Sequence, residues 1–408
     1  MKNQKFKDFA MNENHPQYAV AILREENLYQ RRHDLRSEFG RDYTRIIFSQ
    51  AYRRLKHKTQ VFFAVEDDHV CTRSEHVNLV ESVAHTIAYE LGLNTELTKA
   101  IAVGHDLGHA PFGHGGETIL TAIAKEHGLE KFWHEKNSLH FVDDIELLED
   151  NNHYQHNLNL TYAVRDGIIS HCGEMNQKYI QKRNKVIDLH DYHYAGEYNP
   201  WTYEACVVKM ADKIAYLARD IEDALRLNVL QQEKVDELKE HLNKLGEYQF
   251  HAINNGAIVN YFIHDVIDNS CVEKGIGLSD EAFEKMKVIM KFNYQNIYLI
   301  KRVQIHDKYV SLILHSLFDF LYDYGKESNM LLALQKDQSQ YPKLINHYIT
   351  WLEKYALFEN NARKKEYTNK VVYDFIHDSQ ALEKSILDYL AGMSDAFIIQ
   401  VFNELISF

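Results

Sequence analysis

The sequence predicts an all-α fold, and three observations carry that prediction. Only 4 prolines and 17 glycines interrupt 408 residues, so residues that end helices are scarce. Apolar residues recur at spacings of three and four along most of the chain, which is the period of a helix with one buried face. Stretches that alternate apolar and polar, as half-buried strands do, are few. With 45% hydrophobic and 26% charged side chains, a chain of this length can bury a substantial core.

The elements follow in order. From His76 onward, Val77, Val80, Val83, Ala84, Ile87 and Leu91 trace one helical stripe, and Gly92 offers a stop. A second helix, beginning over Leu97 to Val103, runs into "GHDLGHAPFGHGGE" at 104–117. Ala110, Pro111, Phe112 and Gly113 should break it, and Glu117 to Lys125 reads as a new helix. His76 and His105 are thus expected on different elements. Residues 142–164 contain a polar loop before another helix, and 176–200, rich in Tyr, His, Asn and charge, read as a long surface loop. A long helix is expected over 203–230 and a charged amphipathic one over 232–250, whereas 254–280 have no decisive period. Helical periodicity returns from Asp280, in "FNYQNIYLIKRVQIHDKYVSLILHSLFDFLYDY" and again near the C-terminus. Internal repeats, heptads and low-complexity blocks are absent.

Charge and cysteine usage narrow the function classes. The formal charge of −13, from 59 acidic against 46 basic side chains, argues against a broad nucleic-acid surface, so a small anionic ligand would need a local basic pocket. Cys71, Cys172, Cys206 and Cys271 are far apart and form no C-x-x-C pair, which points to a reducing compartment and away from a cysteine zinc site. The N-terminal "MKNQKFKDFAMNEN" lacks the apolar core of a signal peptide, and no run has the length of a membrane span. A cytoplasmic protein, with no membrane partner, is expected.

Chemistry concentrates in two places. In "EACVVKMADKIAYLARDIEDAL" (204–225) the stretch from Cys206 to Ala218 is apolar on almost every side, the mark of a central helix, yet Asp212 and Lys213 lie in its middle. A buried carboxylate needs a cation, either a metal or a paired side chain. At 100° per residue, Asp212, Lys213, Tyr216 and Asp220 fall on one polar stripe. The bland reading is a Lys-Asp pair reaching solvent. The second place is His105-Asp106 at a helix end, with His109 one turn on. Imidazole and carboxylate together suit a divalent cation. An isolated His-Asp dipeptide is weak evidence, but His76 upstream and Asp212 downstream complete a four-ligand set.

That order, His, then His-Asp, then Asp on successive helices, resembles the HD-domain superfamily of metal-dependent phosphohydrolases. The local motifs resemble those of its deoxynucleoside triphosphate triphosphohydrolases, the dGTPase family. The matching stretches are "RDYTRIIFSQAYRRLKHKTQV" (41–61), "TRSEHVNLVESVAHTIA" (72–88), "AIAVGHDLGHAPFGHGGE" (100–117), "LNLTYAVRDGIISHCGE" (158–174), "VVKMADKIAYLARDIEDAL" (207–225) and "DYLAGMSDAF" (388–397). They occur in the family's order and extend over nearly the whole chain, which makes the match specific. Ala110 stands where many members have proline. The resemblance implies one large all-α domain over 1–408, with an HD core at about 41–228 and further helices over 229–408 packed on it.

It also implies roles. His76, His105, Asp106 and Asp212 would hold a divalent metal, Mg, Mn or a transition metal such as Fe, Co, Ni or Zn; the bland reading of His76 is a solvent-facing helix-start residue. His109, His114 and Glu117 would form a second, proton-handling group, with His134 as another active-site position; a capping Glu beside a loop His is the plain alternative. Arg73 and Lys213 would face the phosphates, Tyr216 and Asp220 the deoxyribose, and Gln60 and Val61 the sugar and base. The implied reaction is attack of metal-activated water on the α-phosphorus of a dNTP, giving deoxynucleoside and inorganic triphosphate. The family further implies a homo-oligomer, tetramer or hexamer, and a dNTP activator at a separate site. Two rivals stand beside this: another HD phosphohydrolase, for which the continuation after Asp106 is wrong, and a non-catalytic binder of dNTPs or nucleic acid.

Overall fold

The computed structural model describes residues 4–27, 34–62, 67, 69–171, 177–359 and 363–407. Over these residues the fold is all-α, as expected, with small two-stranded β-pairs added. In chain order the helices are α1 (Tyr18–Ala21), α2 (Glu38–Phe48), α3 (Gln50–Arg54), α4 (Arg73–Leu91), α5 (Thr95–Gly104), α6 (Gly113–Glu126), α7 (His134–His140), α8 (Tyr162–Ser170) and α9 (Tyr203–Arg226). They continue as α10 (Gln232–Asn243), α11 (Asn255–Asn269), α12 (Asp280–Asn293), α13 (Lys301–Asp323), α14 (Met330–Asp337), α15 (Leu344–Tyr355), α16 (Ala381–Ala391) and α17 (Asp395–Ile406). The strands are β1 (Leu147–Glu149), β2 (Gln155–Asn157), β3 (Tyr179–Ile180), β4 (Ile276–Gly277), β5 (Ala356–Leu357) and β6 (Tyr373–Asp374). They pair as β1 with β2 and β3 with β4, both antiparallel, and β5 with β6, parallel.

The chain folds into two compact units, each made of separate segments. The first comprises Met1–Ile47, Val65–Asp106 and Leu160–Gln304. Its centre is α9, whose side chains from Tyr203 to Ala211 are all buried, and around it pack α4, α5, α8, α11 and α12. Burial on every side is what the apolar composition of 206–218 required. Helix α4 begins at Arg73 because Thr72 and Glu75 form a capping box, and α5 begins at Thr95 because the Asn94 side chain accepts from the amides of Glu96 and Leu97. Helices α5 and α8 approach closely through two glycines. A Cβ on Gly104 would lie 2.7 Å from Ile168 Cδ1, and one on Gly167 would lie 2.5 Å from Ile101 Cδ1, so no larger residue fits without a shift.

The second unit comprises Phe48–Ala64, Leu107–Asn159 and Ile305–Phe408. Here α15 packs on α14 and α16, and α6 packs on α16. A polar cluster ties the unit internally. His140 Nδ1 and Nε2 bond Asp144 at 2.9 Å and Asp388 at 3.0 Å, and the Tyr373 hydroxyl donates to Asp388 at 2.9 Å.

Several boundaries differ from those read in the sequence. The long central helix stops at Arg226, because Asn228 adopts a left-handed conformation (φ 54°), and α10 stops at Asn243, ahead of a turn with Gly246 at φ 110°. Residues 254–280 contain α11. The tract read as a loop carries β3 and a short 3₁₀ turn at Leu189–Asp191. Helix α6 starts at Gly113, four residues early, with Phe112 as a left-handed N-cap (φ 61°) whose amide donates to Asp395 at 2.9 Å. Among the described residues Cys71, Cys206 and Cys271 are free thiols, and Cys172 lies outside them. No single described helix is long and apolar enough to cross a membrane; α16 and α17 pass that test only as a pair bent by 120°.

Candidate active site

The first unit gathers His76, His105, Asp106 and Asp212 from the start of α4, the end of α5 and the middle of α9. His76 Nε2 lies 3.0 Å from Asp212 Oδ1, and His105 Nε2 lies 3.8 Å from that same oxygen and 3.6 Å from Asp106 Oδ1. The ligand-type atoms of His76, His105 and Asp212 fall within 4.8 Å of one another. His105 donates its Nδ1–H to the Ala102 carbonyl at 2.7 Å, which leaves the lone pair on Nε2, and that buried nitrogen has no hydrogen-bond partner. An orphaned imidazole nitrogen facing two carboxylates fits a divalent cation.

Electrostatics agree. Burial alone would lower the His76 pKa, but the hydrogen bond and charge of Asp212, with Asp106 behind it, outweigh burial and raise it. Burial would raise the Asp212 carboxyl, yet the His76 hydrogen bond and the fields of His105, His76 and His171 hold it well below the usual carboxylate range.

Around this cluster, Arg73 is buried and its Nη1 donates to Asp106 Oδ2 at 2.6 Å, while its Nε is buried without a partner. Lys213 and Asp220 are buried on α9, and Tyr216 is half-buried between them along the helix. Two residues that sequence reasoning passed over belong here. His171, the C-cap of α8, places its ring edge-on to His105 at 4.9 Å and groups with His105 and Asp106. Tyr298, which ends a π-helical turn after α12, donates its hydroxyl to Asp220 Oδ2 in a short hydrogen bond. His171 lies inside one of the quoted motifs and could have been found there; nothing local in the sequence ties Tyr298 to Asp220.

The second unit gathers His109, His114, Glu117 and His134. Glu117 and His114 share the first turn of α6, with His114 Nδ1 at 3.6 Å from Glu117 Oε2. His134 is the nearer partner: its Nδ1 is 3.1 Å from Glu117 Oε2, and its backbone amide donates to Glu117 Oε1 at 3.0 Å. The rings of His109 and His134 stack at 4.5 Å. Burial would raise the Glu117 carboxyl, but the charge of His134 and hydrogen bonds from His114 and His134 hold it far below the usual range. It is therefore a fixed carboxylate. His114 has a side chain 79% exposed, against 17% for His134, so His114 is the accessible imidazole of the set.

Gln60 and Val61, both half-buried, follow a tightly anchored segment of this second unit. Lys58 donates to the carbonyls of His109 and Ala391, and the Thr59 amide and hydroxyl donate to Asp395 at 2.9 and 2.7 Å. Asp395 also receives the Phe112 amide, so one carboxylate fixes both the Gln60 segment and the turn that opens α6.

Residues 73–217 match the HD domain family. Over 372 residues the chain is 31% identical to a deoxyguanosinetriphosphate triphosphohydrolase-like protein of Caldanaerobacter subterraneus subsp. tengcongensis, covering 91% of this chain and 86% of that one. The chain belongs to the deoxyguanosinetriphosphate triphosphohydrolase-like family. Similarity to further proteins with that name is 40% over 292 residues in Desulfatibacillum aliphaticivorans (70% of this chain, 74% of the other) and 31% over 383 residues in Rickettsia bellii (91% and 92%). In this triphosphohydrolase-like chain the HD match opens at Arg73 and takes in every metal-type residue, Lys213 and Tyr216. Gln60, Val61, Asp220 and Tyr298 lie outside it.

Proposed function

We propose that this protein hydrolyses deoxynucleoside triphosphates to deoxynucleoside and inorganic triphosphate. The observation that carries the reading is the cluster of His76, His105, Asp106 and Asp212, with a buried His105 nitrogen left for a cation and the buried cations Arg73 and Lys213 close by in sequence. The relatives' names supply the substrate class.

A divalent cation held by those four residues would supply Lewis acidity toward a phosphoryl oxygen and make water more acidic. Arg73 and Lys213 offset the charge of the triphosphate, which an acidic protein cannot otherwise accept. The Asp220 carboxylate, already accepting from Tyr298, can accept a sugar hydroxyl as well, and the Tyr216 ring borders the sugar so that a 2′-hydroxyl is excluded. Gln60 and Val61 face the sugar and base. Water adds to the α-phosphorus, the bond from phosphorus to the 5′ oxygen breaks, and the deoxynucleoside departs with a proton on that oxygen while the water oxygen stays on the intact triphosphate. Proton transfer falls to His114. Glu117, held as a carboxylate, orients the His114 and His134 imidazoles, and the stacked His109 fixes the His134 ring.

Incubation of the pure protein with each dNTP and a divalent cation, followed by chromatography, tests this. Deoxynucleoside plus triphosphate is the expected pair. Appearance of dNMP plus pyrophosphate, or no turnover of dNTPs supplied singly and in mixtures, would overturn the proposal.

A further inference from the structure

His171 is built into the fold by the same device as His105. Each is the C-cap of its helix, His105 on α5 and His171 on α8. Each donates its Nδ1–H to the carbonyl three residues back, His105 to Ala102 at 2.7 Å and His171 to Ile168 at 2.6 Å. In a neutral ring that bond places the lone pair on Nε2, the nitrogen that binds metals. The glycine crossing of α5 and α8 then sets the two ring centroids 4.9 Å apart, nearer than the 5.7 Å between His76 and His105. His105, Asp106 and His171 bring ligand-type atoms within 4.8 Å of one another, the same limit met by His76, His105 and Asp212. Both groups share His105. His171 is also buried, at 2% exposure, so its ring faces protein groups rather than bulk water.

A core histidine satisfied by one carbonyl would account for the Ile168 bond alone. It would not account for ligand-type atoms of His105, Asp106 and His171 lying within 4.8 Å of one another beside the cation cluster.

We propose that His171 is a fifth protein residue of the metal centre, contributing a third imidazole to the cation held by His76, His105, Asp106 and Asp212. The inference rests on the metal reading given above. Its consequence is selectivity. Three imidazoles with two carboxylates favour Mn²⁺, Fe²⁺, Co²⁺, Ni²⁺ or Zn²⁺ over Mg²⁺, which prefers oxygen donors and keeps several of its waters.

The full-length protein loaded with Co²⁺ provides the test, read by X-ray absorption, the visible spectrum and chelator competition. X-ray absorption of the wild type should fit three imidazoles. The variant His171→Asn, which can still donate to the Ile168 carbonyl, should bind Co²⁺ at least about tenfold more weakly and show a changed spectrum. Two imidazoles in the wild type, or a folded His171→Asn with wild-type affinity and spectrum, would overturn the inference. Should His171→Asn fail to fold, the imidazole count in the wild type decides alone. A wild type that binds no cation at all removes the proposed function too, whereas one that binds Co²⁺ through two imidazoles removes only the role of His171.

Discussion

At the scale of single residues, the two donor sets should respond differently to substitution. Asp106→Ala and Asp212→Ala each remove a carboxylate from beside His105, so both should lose bound metal and turnover together, checked by metal analysis and by product formation. Asp106→Ala has a further effect, since it strips the partner from buried Arg73 and leaves an uncompensated guanidinium, a change that costs about 3–5 kcal/mol in comparable buried pairs. Its melting temperature should therefore fall more than that of Asp212→Ala. His114→Ala should keep its metal and lower kcat by about 10²–10⁴ with little change in KM, as expected for loss of a proton-transfer group. A His114→Ala enzyme with wild-type kcat would remove His114 from the chemistry.

At the scale of elements, the cluster that joins α7, α16 and the turn after α7 carries the pH dependence. Burial would lower the His140 pKa, but the charge of Asp388 and the hydrogen bonds to Asp144 and Asp388 raise it to about 10. Burial would raise Asp144, yet the hydrogen bond and charge of His140, aided by Lys370, lower it to about 2. The His140 contribution to stability is complete below its unfolded pKa of roughly 6.5 and fades as pH rises toward 10. The Asp144 contribution is complete above roughly 3.9 and is lost as pH falls toward 2. Denaturation followed against pH should accordingly show the wild type losing stability between about pH 6.5 and 10, with His140→Ala flatter over that range and less stable by about 3–5 kcal/mol near neutrality. Equal slopes for the two proteins would exclude this cluster as the source. The sequence made some of these elements plain and hid others. Val77 to Leu91 has a clean stripe and a glycine stop, so α4 was legible. Helix α6 was expected to start late because its first turn, Gly-His-Gly-Gly, has poor helix propensity; a distant carboxylate, Asp395, holds the Phe112 turn in place. The Gly104 and Gly167 crossing was equally hidden, because its reason is the side chain of a residue on the other helix.

At the scale of the molecule, the metal reading predicts coupling between cation binding and stability. A cation that binds the folded state alone adds about 2.7 kcal/mol at a free concentration one hundred times its Kd. Thermal denaturation with increasing Mn²⁺ or Co²⁺ should show a rising melting temperature that a chelator reverses, and Asp212→Ala should show no such rise. The candidate cation set was readable in the sequence because His76, His105-Asp106 and Asp212 stand in a fixed order on successive predicted helices, a pattern that no single His-Asp dipeptide carries. Tyr298 was not, since its partner Asp220 is 78 positions away and a tyrosine signals nothing without that partner. The division into units has a consequence for synthesis. The first unit takes its segments from as far along as Gln304, and the second resumes at Ile305 and runs to Phe408. During translation, the first unit therefore waits for most of the chain before its core can close, and the second waits for the last helices. Shortening the chain within 305–408 removes part of the second unit's core rather than an appendage, so nascent or truncated forms should expose apolar surface and depend on chaperones.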